Sequence, residues 1–186
     1  MNEITKDIWN WITGYVEVNH KFYNYQFPPC PYAKSARLKG LVDVVAYEKG
    51  PMFDFIYDQT SDLIGNQKYN VRLIVFPPRY KYRFGMQQYI KTLNAKIIPY
   101  DYYAQYGIAL KTDSKYKGWF NKGPYFIVIV NKLSDVLNGH KSLLNTDYYK
   151  PWADHHYDEV VVRRQQMYEH HKNDNLDINF IKRKND

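Results

Sequence analysis

Three short, almost uninterrupted apolar segments constrain the fold of this chain most strongly. They span residues 41–47, 70–76 and 126–130. Segments of this length without a polar face are typical of strands that are covered on both sides of a sheet. We therefore predict that these segments form neighbouring strands of one sheet.

Amphipathic segments separate the three strands. In the first segment, residues 3–18, the apolar residues Ile4, Ile8 and Trp11 recur at the spacing of one helical face. The same kind of pattern, with turn residues at its ends, predicts further helices over residues 52–64, 86–93, 133–144 and 152–171. Short extended pieces are expected near Ile97 and Ile108.

Strands that alternate with helices predict an α/β (or α+β) fold. We expect a single domain over residues 1–172, in which helices cover a mixed, mostly parallel sheet of about four strands and a long helix ends the domain. A chain of 186 residues is close to the usual size of one domain. Residues 173–186 are polar and are predicted to form a flexible tail.

Cysteine usage and charge restrict the environment and the partners. A single cysteine excludes an internal disulfide, and the N-terminus lacks the pattern of a secretory leader, so we predict a cytoplasmic protein. The longest apolar runs are too short to span a bilayer. The net charge of +7 favours an anionic small molecule, an acidic protein or nucleic acid as partner.

The one cysteine lies at a point that suggests chemistry. Cys30 follows two prolines and precedes Pro31, which suits the first turn of a helix. Amides at a helix start favour a thiolate, and Lys34, Arg37 and Lys39 add positive charge. This pattern predicts a thiol with a lowered pKa. The alternatives are a buried, small apolar residue and a metal ligand.

The tetrad Cys30-Pro31-Tyr32-Ala33 resembles the glutaredoxin active site with its second cysteine replaced by alanine. Pro124, just before the third apolar segment, is similar in position to the proline that faces the thiol in thioredoxin-like folds. The missing second cysteine argues against dithiol exchange.

A resemblance over nearly the whole chain concerns a bacterial family without an assigned activity. Its features are a tryptophan in the first helix, a Cys-Pro-Phe/Tyr-Ala-Lys motif, here residues 30–34, and an Asn-x-x-Pro-Tyr motif, here residues 121–125. The resemblance implies a shared fold and a shared site made of Cys30, Lys34, Asn121 and Tyr125. Where that family carries His-Pro, this chain has Ile98-Pro99, so a candidate general base is missing.

These observations predict a thiol-dependent enzyme that acts on an anionic small molecule through Cys30. The alternative is a binding protein without chemistry, in which Arg79, Lys81 and Arg83 alternate with aromatic residues and contact nucleic acid or an acidic protein. The same stretch also fits an exposed edge strand that its charges protect from pairing. The sequence leaves open whether the protein is an enzyme.

Metal and cofactor sites have weaker signals. His156, Glu159 and His170 fall near one face of the last predicted helix, but no matching carboxylates are evident on other helices. We therefore interpret this face as solvated and predict no metal there. Glycine-rich nucleotide motifs are missing from the sequence, which leaves any cofactor unidentified. The same helix is also a candidate for contacts between copies of the chain.

Overall fold

The structure is a computed structural model that describes residues 2–77, 85–107, 125–175 and 180. Four of the predicted site residues, Arg79, Lys81, Arg83 and Asn121, lie outside the described residues, and so does Pro124.

One four-stranded sheet organises the described part of the chain. Its strands are β1 (Val42–Ala46), β2 (Val71–Phe76), β3 (Tyr102–Gly107) and β4 (Phe126–Lys132). Their order across the sheet is β1-β2-β4-β3. The three strands predicted from apolar runs are confirmed as β1, β2 and β4.

The α/β class and the mixed sheet are confirmed, but the prediction that the sheet is mostly parallel is wrong. Only β1 and β2 pair in parallel within the described sheet, whereas β4 is antiparallel to both of its neighbours. An apolar strand covered on both faces has the same residue pattern in either direction, because both ladders satisfy the backbone equally. Strand direction therefore depends on the connections.

Within the described ranges, six helices accompany the sheet. They are α1 (Glu3–Trp11, continued by a π-helical turn at Ile12–Val16), α2 (Ala33–Leu38), α3 (Met52–Asn66), α4 (Met86–Ile97), α5 (Leu133–Leu143) and α6 (residues 154–171, π-helical at Asp158–Val162). Short 3-10 turns lie at Lys21–Tyr23, Ile98–Tyr100 and Asp147–Tyr149. The predicted helices are confirmed. The extended piece predicted near Ile97 is wrong, because Ile97 ends α4 and β3 begins at Tyr102.

Helices pack on both faces of the sheet, and alternate residues of each strand point to opposite faces. On one face, Ile74 and Val128 pack in a core with α3 and α4. On the other, which we call the α1 face, Leu73 and Ile127 pack against Ile8 of α1. None of the helices in the described ranges has the length and apolar character that a membrane span needs.

A buried arginine joins the sheet to α3. Arg72 of β2 is 4% exposed, and its Nε donates to Asp43 at 2.8 Å. Its Nη1 donates to Asp62 at 2.8 Å and to the carbonyl of Gln59 at 2.7 Å. Two carboxylates thus balance one buried cation, which is the condition under which a buried charge is tolerated.

Phe180 belongs to the segment that the sequence assigns to a flexible tail. Its side chain is fully buried in the core formed with α3 and α4, and its ring lies 4.7 Å from that of Tyr57. The Ser61 hydroxyl donates to the Phe180 carbonyl at 2.6 Å. At this residue, the polar segment contributes to the domain core.

Candidate functional site

An open cleft of about 1790 Å³ lies on the α1 face of the sheet and extends around the edge strand β3 to α4. Its floor includes Gln105 of β3 and Ile129 of β4, both half-buried. Cys30 lines one side of the cleft, and Arg164 of α6 lines another. Concave sites with an apolar floor and a few polar groups are typical of small-molecule binding.

Both π-helical segments among the described residues border this cleft. Ile12 and Val16 line it from the turn that continues α1, and Val160 and Val161 line it from α6. A π-helical segment widens the helix and is found frequently at functional sites. The two distortions thus point to the same region of the molecule.

Cys30 is half-buried and its backbone N–H donates to the Val16 carbonyl at 3.2 Å. The helix predicted after it is confirmed as α2, which begins at Ala33. Burial raises the pKa of the Cys30 thiol, although the backbone N–H groups of Tyr32 and Ala33 and the charge of Arg164 oppose this shift. The sequence predicted the opposite direction, because it showed the helix start and did not show the burial.

We expect Cys30 to be alkylated more slowly in the native protein than in the unfolded chain at pH 7 to 8. Only the thiolate reacts, and the buried thiol keeps its proton above the ordinary thiol pKa of about 8.5. Rate constants with iodoacetamide from pH 6 to 10 test this, with the protein in guanidinium chloride as reference. An inflection of the native profile below the reference would contradict it.

The other predicted catalytic residues that the structure describes do not line the cleft. Lys34 is exposed and is not among the residues that line the cleft. Tyr125 is also outside the lining, and its hydroxyl donates to Asp7 of α1 at 2.7 Å. Of the predicted catalytic residues that the structure describes, Cys30 alone lines the cleft.

The predicted binding residues near Cys30 also differ from one another. Arg37 donates to both carboxylate oxygens of Glu17, at 2.8 Å from Nε and 2.9 Å from Nη2. This bidentate pair balances the charge of Arg37. Lys39 is exposed and lines the rim of the cleft.

Arg164 is the residue of this site that the sequence analysis missed. Its Nη2 donates to the Gln105 amide oxygen at 2.8 Å, and its guanidinium carbon lies 5.1 Å from the centre of the Tyr103 ring. Its Nε atom is buried and has no hydrogen-bond partner. No carboxylate among the described residues pairs with Arg164, so this guanidinium lacks an anionic partner there.

Burial lowers the pKa of Arg164, and the neighbouring Tyr103 phenol opposes this shift. An arginine nevertheless stays protonated in proteins. The raised pKa of Cys30 keeps that neighbour neutral, so the thiol does not compensate the charge. A sequence signal for Arg164 exists in its spacing, since it lies three residues after the buried Val161.

Two other arginines, the buried Arg72 and the half-buried Arg37, both have carboxylate partners. Arg72 contacts two carboxylates, and Arg37 contacts one in a bidentate pair. Burying a charge without a partner is costly, and buried charges are usually paired. Arg164, whose Nε lacks a hydrogen-bond partner, is therefore the residue of this cleft that most strongly indicates a ligand.

Aromatic and imidazole groups complete the walls. The Nδ1 atom of His140 in α5 lies 2.9 Å from the Tyr149 hydroxyl. Burial lowers the pKa of His140, and the charge of Arg164 lowers it further, so the imidazole is neutral at pH 7. The Tyr148 hydroxyl donates to the Pro29 carbonyl at 2.7 Å, which holds the Cys30 segment against this wall.

The lining carries more positive than negative charge. Five of its residues are lysine or arginine and two are carboxylates, namely Lys39, Lys91, Lys132, Arg163, Arg164, Asp135 and Glu159. One of the two carboxylates, Glu159, lies 3.7 Å from the exposed Arg163. The field in the cleft therefore favours an anion.

The metal candidates occupy the same helix. The His156 ring lies 4.5 Å from the Trp152 ring, and the His170 ring lies 4.5 Å from that of His171. Glu159 lies beside Arg163. In the ranges that the structure describes, no group of three or more His, Cys, Asp or Glu side chains is placed to hold a metal ion.

No protein-family model matches the sequence, and neither curated proteins nor solved structures provide a significant match. The resemblance to the bacterial family with the Cys-Pro-Phe/Tyr-Ala-Lys motif stays a prediction.

Proposed function

We propose that the protein binds an anionic small molecule in the cleft, with the guanidinium of Arg164 as the central contact. The observation that carries this proposal is a buried Nε–H group without a partner, on a cation that no described carboxylate balances. Nε itself is closed to solvent, so a carboxylate or phosphate oxygen would contact the part of the guanidinium that lines the cleft and would balance its charge.

Neighbouring groups support an anion at this position. Gln105 and Tyr103 hold the guanidinium from the sheet side, which restricts its orientation. The neutral Cys30 thiol and the neutral His140 do not compete with a bound anion for the positive charge. An incoming anion therefore meets a preorganised cation.

The site favours the binding of an anion over a reaction that depends on the Cys30 thiolate. A nucleophilic cysteine needs a thiolate, and burial opposes its formation at Cys30. A bound anion would offset the positive charge of Arg164, which now lowers the pKa of the thiol, and would disfavour the thiolate further. A reaction catalysed through Cys30 is the second candidate function. The predicted nucleic-acid contacts fall outside the described residues.

We expect phosphate and acetate to shift the Nε–Hε resonance of Arg164 in a saturable way. A ¹⁵N–¹H correlation spectrum tuned to arginine side chains follows each arginine separately during the titration. Arg164→Gln should weaken binding by about 10- to 100-fold, since hydrogen bonds to charged groups contribute about 1.5–3 kcal/mol. Arg164→Lys keeps the charge and loses the planar guanidinium, so its anion affinity should lie between those of the wild type and Arg164→Gln.

Lys150→Gln provides the matched control. The Lys150 side chain is 74% exposed, lies 2.9 Å from Asp147 and does not line the cleft. Its removal should leave anion affinity within about twofold, because this cation is outside the cleft and is exposed to solvent. Equal affinity in wild type and Arg164→Gln, or no binding of either anion, would refute the proposal.

A further inference from the structure

We infer that the anion carries an apolar chain which lies on the exposed part of the sheet, so the ligand class is a carboxylate with an aliphatic tail. This inference rests on the proposed function, because Arg164 anchors the charged end. The strand register next to Arg164 supplies the evidence for the apolar end.

Ile129 is the direct neighbour of the residue that holds Arg164. Gln105, which accepts the hydrogen bond from the guanidinium, is paired in register with Ile129 of β4, and Ile129 is paired with Leu73 of β2. Side chains of paired residues stand about 4.5–5.5 Å apart on the same face of a sheet. The row therefore changes from polar at Gln105 to apolar within one strand spacing.

The first apolar residue of this row is open to the cleft. Ile129 is half-buried, whereas its chain neighbours Val128 and Val130, which point to the opposite face, are fully enclosed. Val71, in the adjacent row, is also half-buried and lines the cleft. Aliphatic surface on the two inner strands of a sheet is usually covered, so its exposure beside a charged anchor favours an amphiphilic occupant.

The direction of the row sets the orientation of the ligand. From Gln105 the open floor crosses one strand spacing, roughly 5 Å, to Ile129 and passes on to Val71, because Leu73 is 5% exposed and packs against Ile8. It then reaches the side of the cleft formed by Trp11 and Ile12. A compact anion such as phosphate would occupy only the Arg164 end and leave Ile129 in water. A chain that extends from the carboxylate along this row would cover it.

Calorimetric titration with acetate, butyrate, hexanoate and octanoate, each below its micelle concentration, tests the inference. Each added methylene should lower Kd about fourfold until the floor is filled, as expected for the transfer of one CH₂ from water. Arg164→Gln should weaken every member of the series by a similar factor. A flat series with retained dependence on Arg164 would overturn this inference and leave the proposed function intact.

Two variants locate the chain on the floor. Ile129→Thr keeps the β-branched shape and should flatten the dependence on chain length, with acetate affinity unchanged. Val71→Thr should reduce the dependence on chain length partly. It replaces Ile129→Thr as the test variant if Ile129→Thr does not fold. Val44→Thr is the control, because Val44 lies in the same row beyond Leu73 and does not line the cleft. An unchanged slope in both floor variants would refute the placement. Failure of all four carboxylates to bind would overturn this inference, and the proposed function as well if phosphate also fails to bind.

Discussion

Phe180→Ala should lower the free energy of unfolding by about 3–5 kcal/mol, the usual effect of deleting a buried aromatic ring. The ring is fully enclosed and packs edge-on against Tyr57 in the core formed with α3 and α4. The backbone bond from Ser61 to the Phe180 carbonyl is retained in this variant, so the change reports on the ring. Unfolding in guanidinium chloride, followed by tryptophan fluorescence, measures it.

Leu144→Ala is the matched control for this truncation. Leu144 is 51% exposed, and removal of an exposed aliphatic side chain usually changes stability by less than about 0.5 kcal/mol. Equal stability of Phe180→Ala and the wild type would mean that the segment behaves as the flexible tail that the sequence predicts.

Arg72→Met should also cost about 3–5 kcal/mol at pH 7, because it leaves two carboxylates without their shared cation. Asp43 and Asp62 each lie 2.8 Å from the guanidinium, and the arginine side chain is 4% exposed. In the variant the two like charges repel each other in the folded state, and acid removes this repulsion. The deficit relative to wild type should therefore be largest at pH 7 and shrink as the pH falls toward 4.

Two comparisons isolate the charge effect from the loss of packing. Adding Asp43→Asn and Asp62→Asn to Arg72→Met should recover part of the lost stability, since the two negative charges that Arg72 balanced are then removed. Arg163→Met, at an exposed ion pair, should stay within about 0.5 kcal/mol of the wild type. A deficit in Arg72→Met that is independent of pH and not relieved by the asparagine changes would contradict the electrostatic account.

Local patterns predicted most of the secondary structure because those patterns are themselves the cause of it. The apolar runs that became β1, β2 and β4 and the helical periodicities that became α3 and α5 depend on residues close in the chain. β3 was predicted only as a short extended piece near Ile108, a residue that lies just outside the described range. Its residues Tyr103 and Gln105 are polar in part because they face the cleft, so the strand lacks the continuous apolar character of its neighbours.

Sequence reasoning placed Cys30 and, at the rim of the cleft, Lys39 in the candidate site, and even at Cys30 the electrostatics differed. A helix start is visible in the sequence, and it does act to lower the pKa of the thiol, but burial outweighs it. Burial depends on how the cysteine segment packs against the 3-10 turn that follows α5, through contacts such as that of Tyr148 with Pro29, 119 residues apart. No local pattern contains that information.

The sequence by itself determined most of the helices and strands, the α/β class and the positive charge of the chain. Each of these follows from composition or from residue spacing over a few turns. The tertiary structure decided which of these positive charges is left without a partner. Arg163 and Arg164 are adjacent and chemically identical in the sequence, yet one is exposed beside a glutamate and the other is turned against Gln105 and Tyr103. The reason is physical: the charge balance of a guanidinium depends on what lies within hydrogen-bond distance in space, and its partners come from strands and helices far away in the chain.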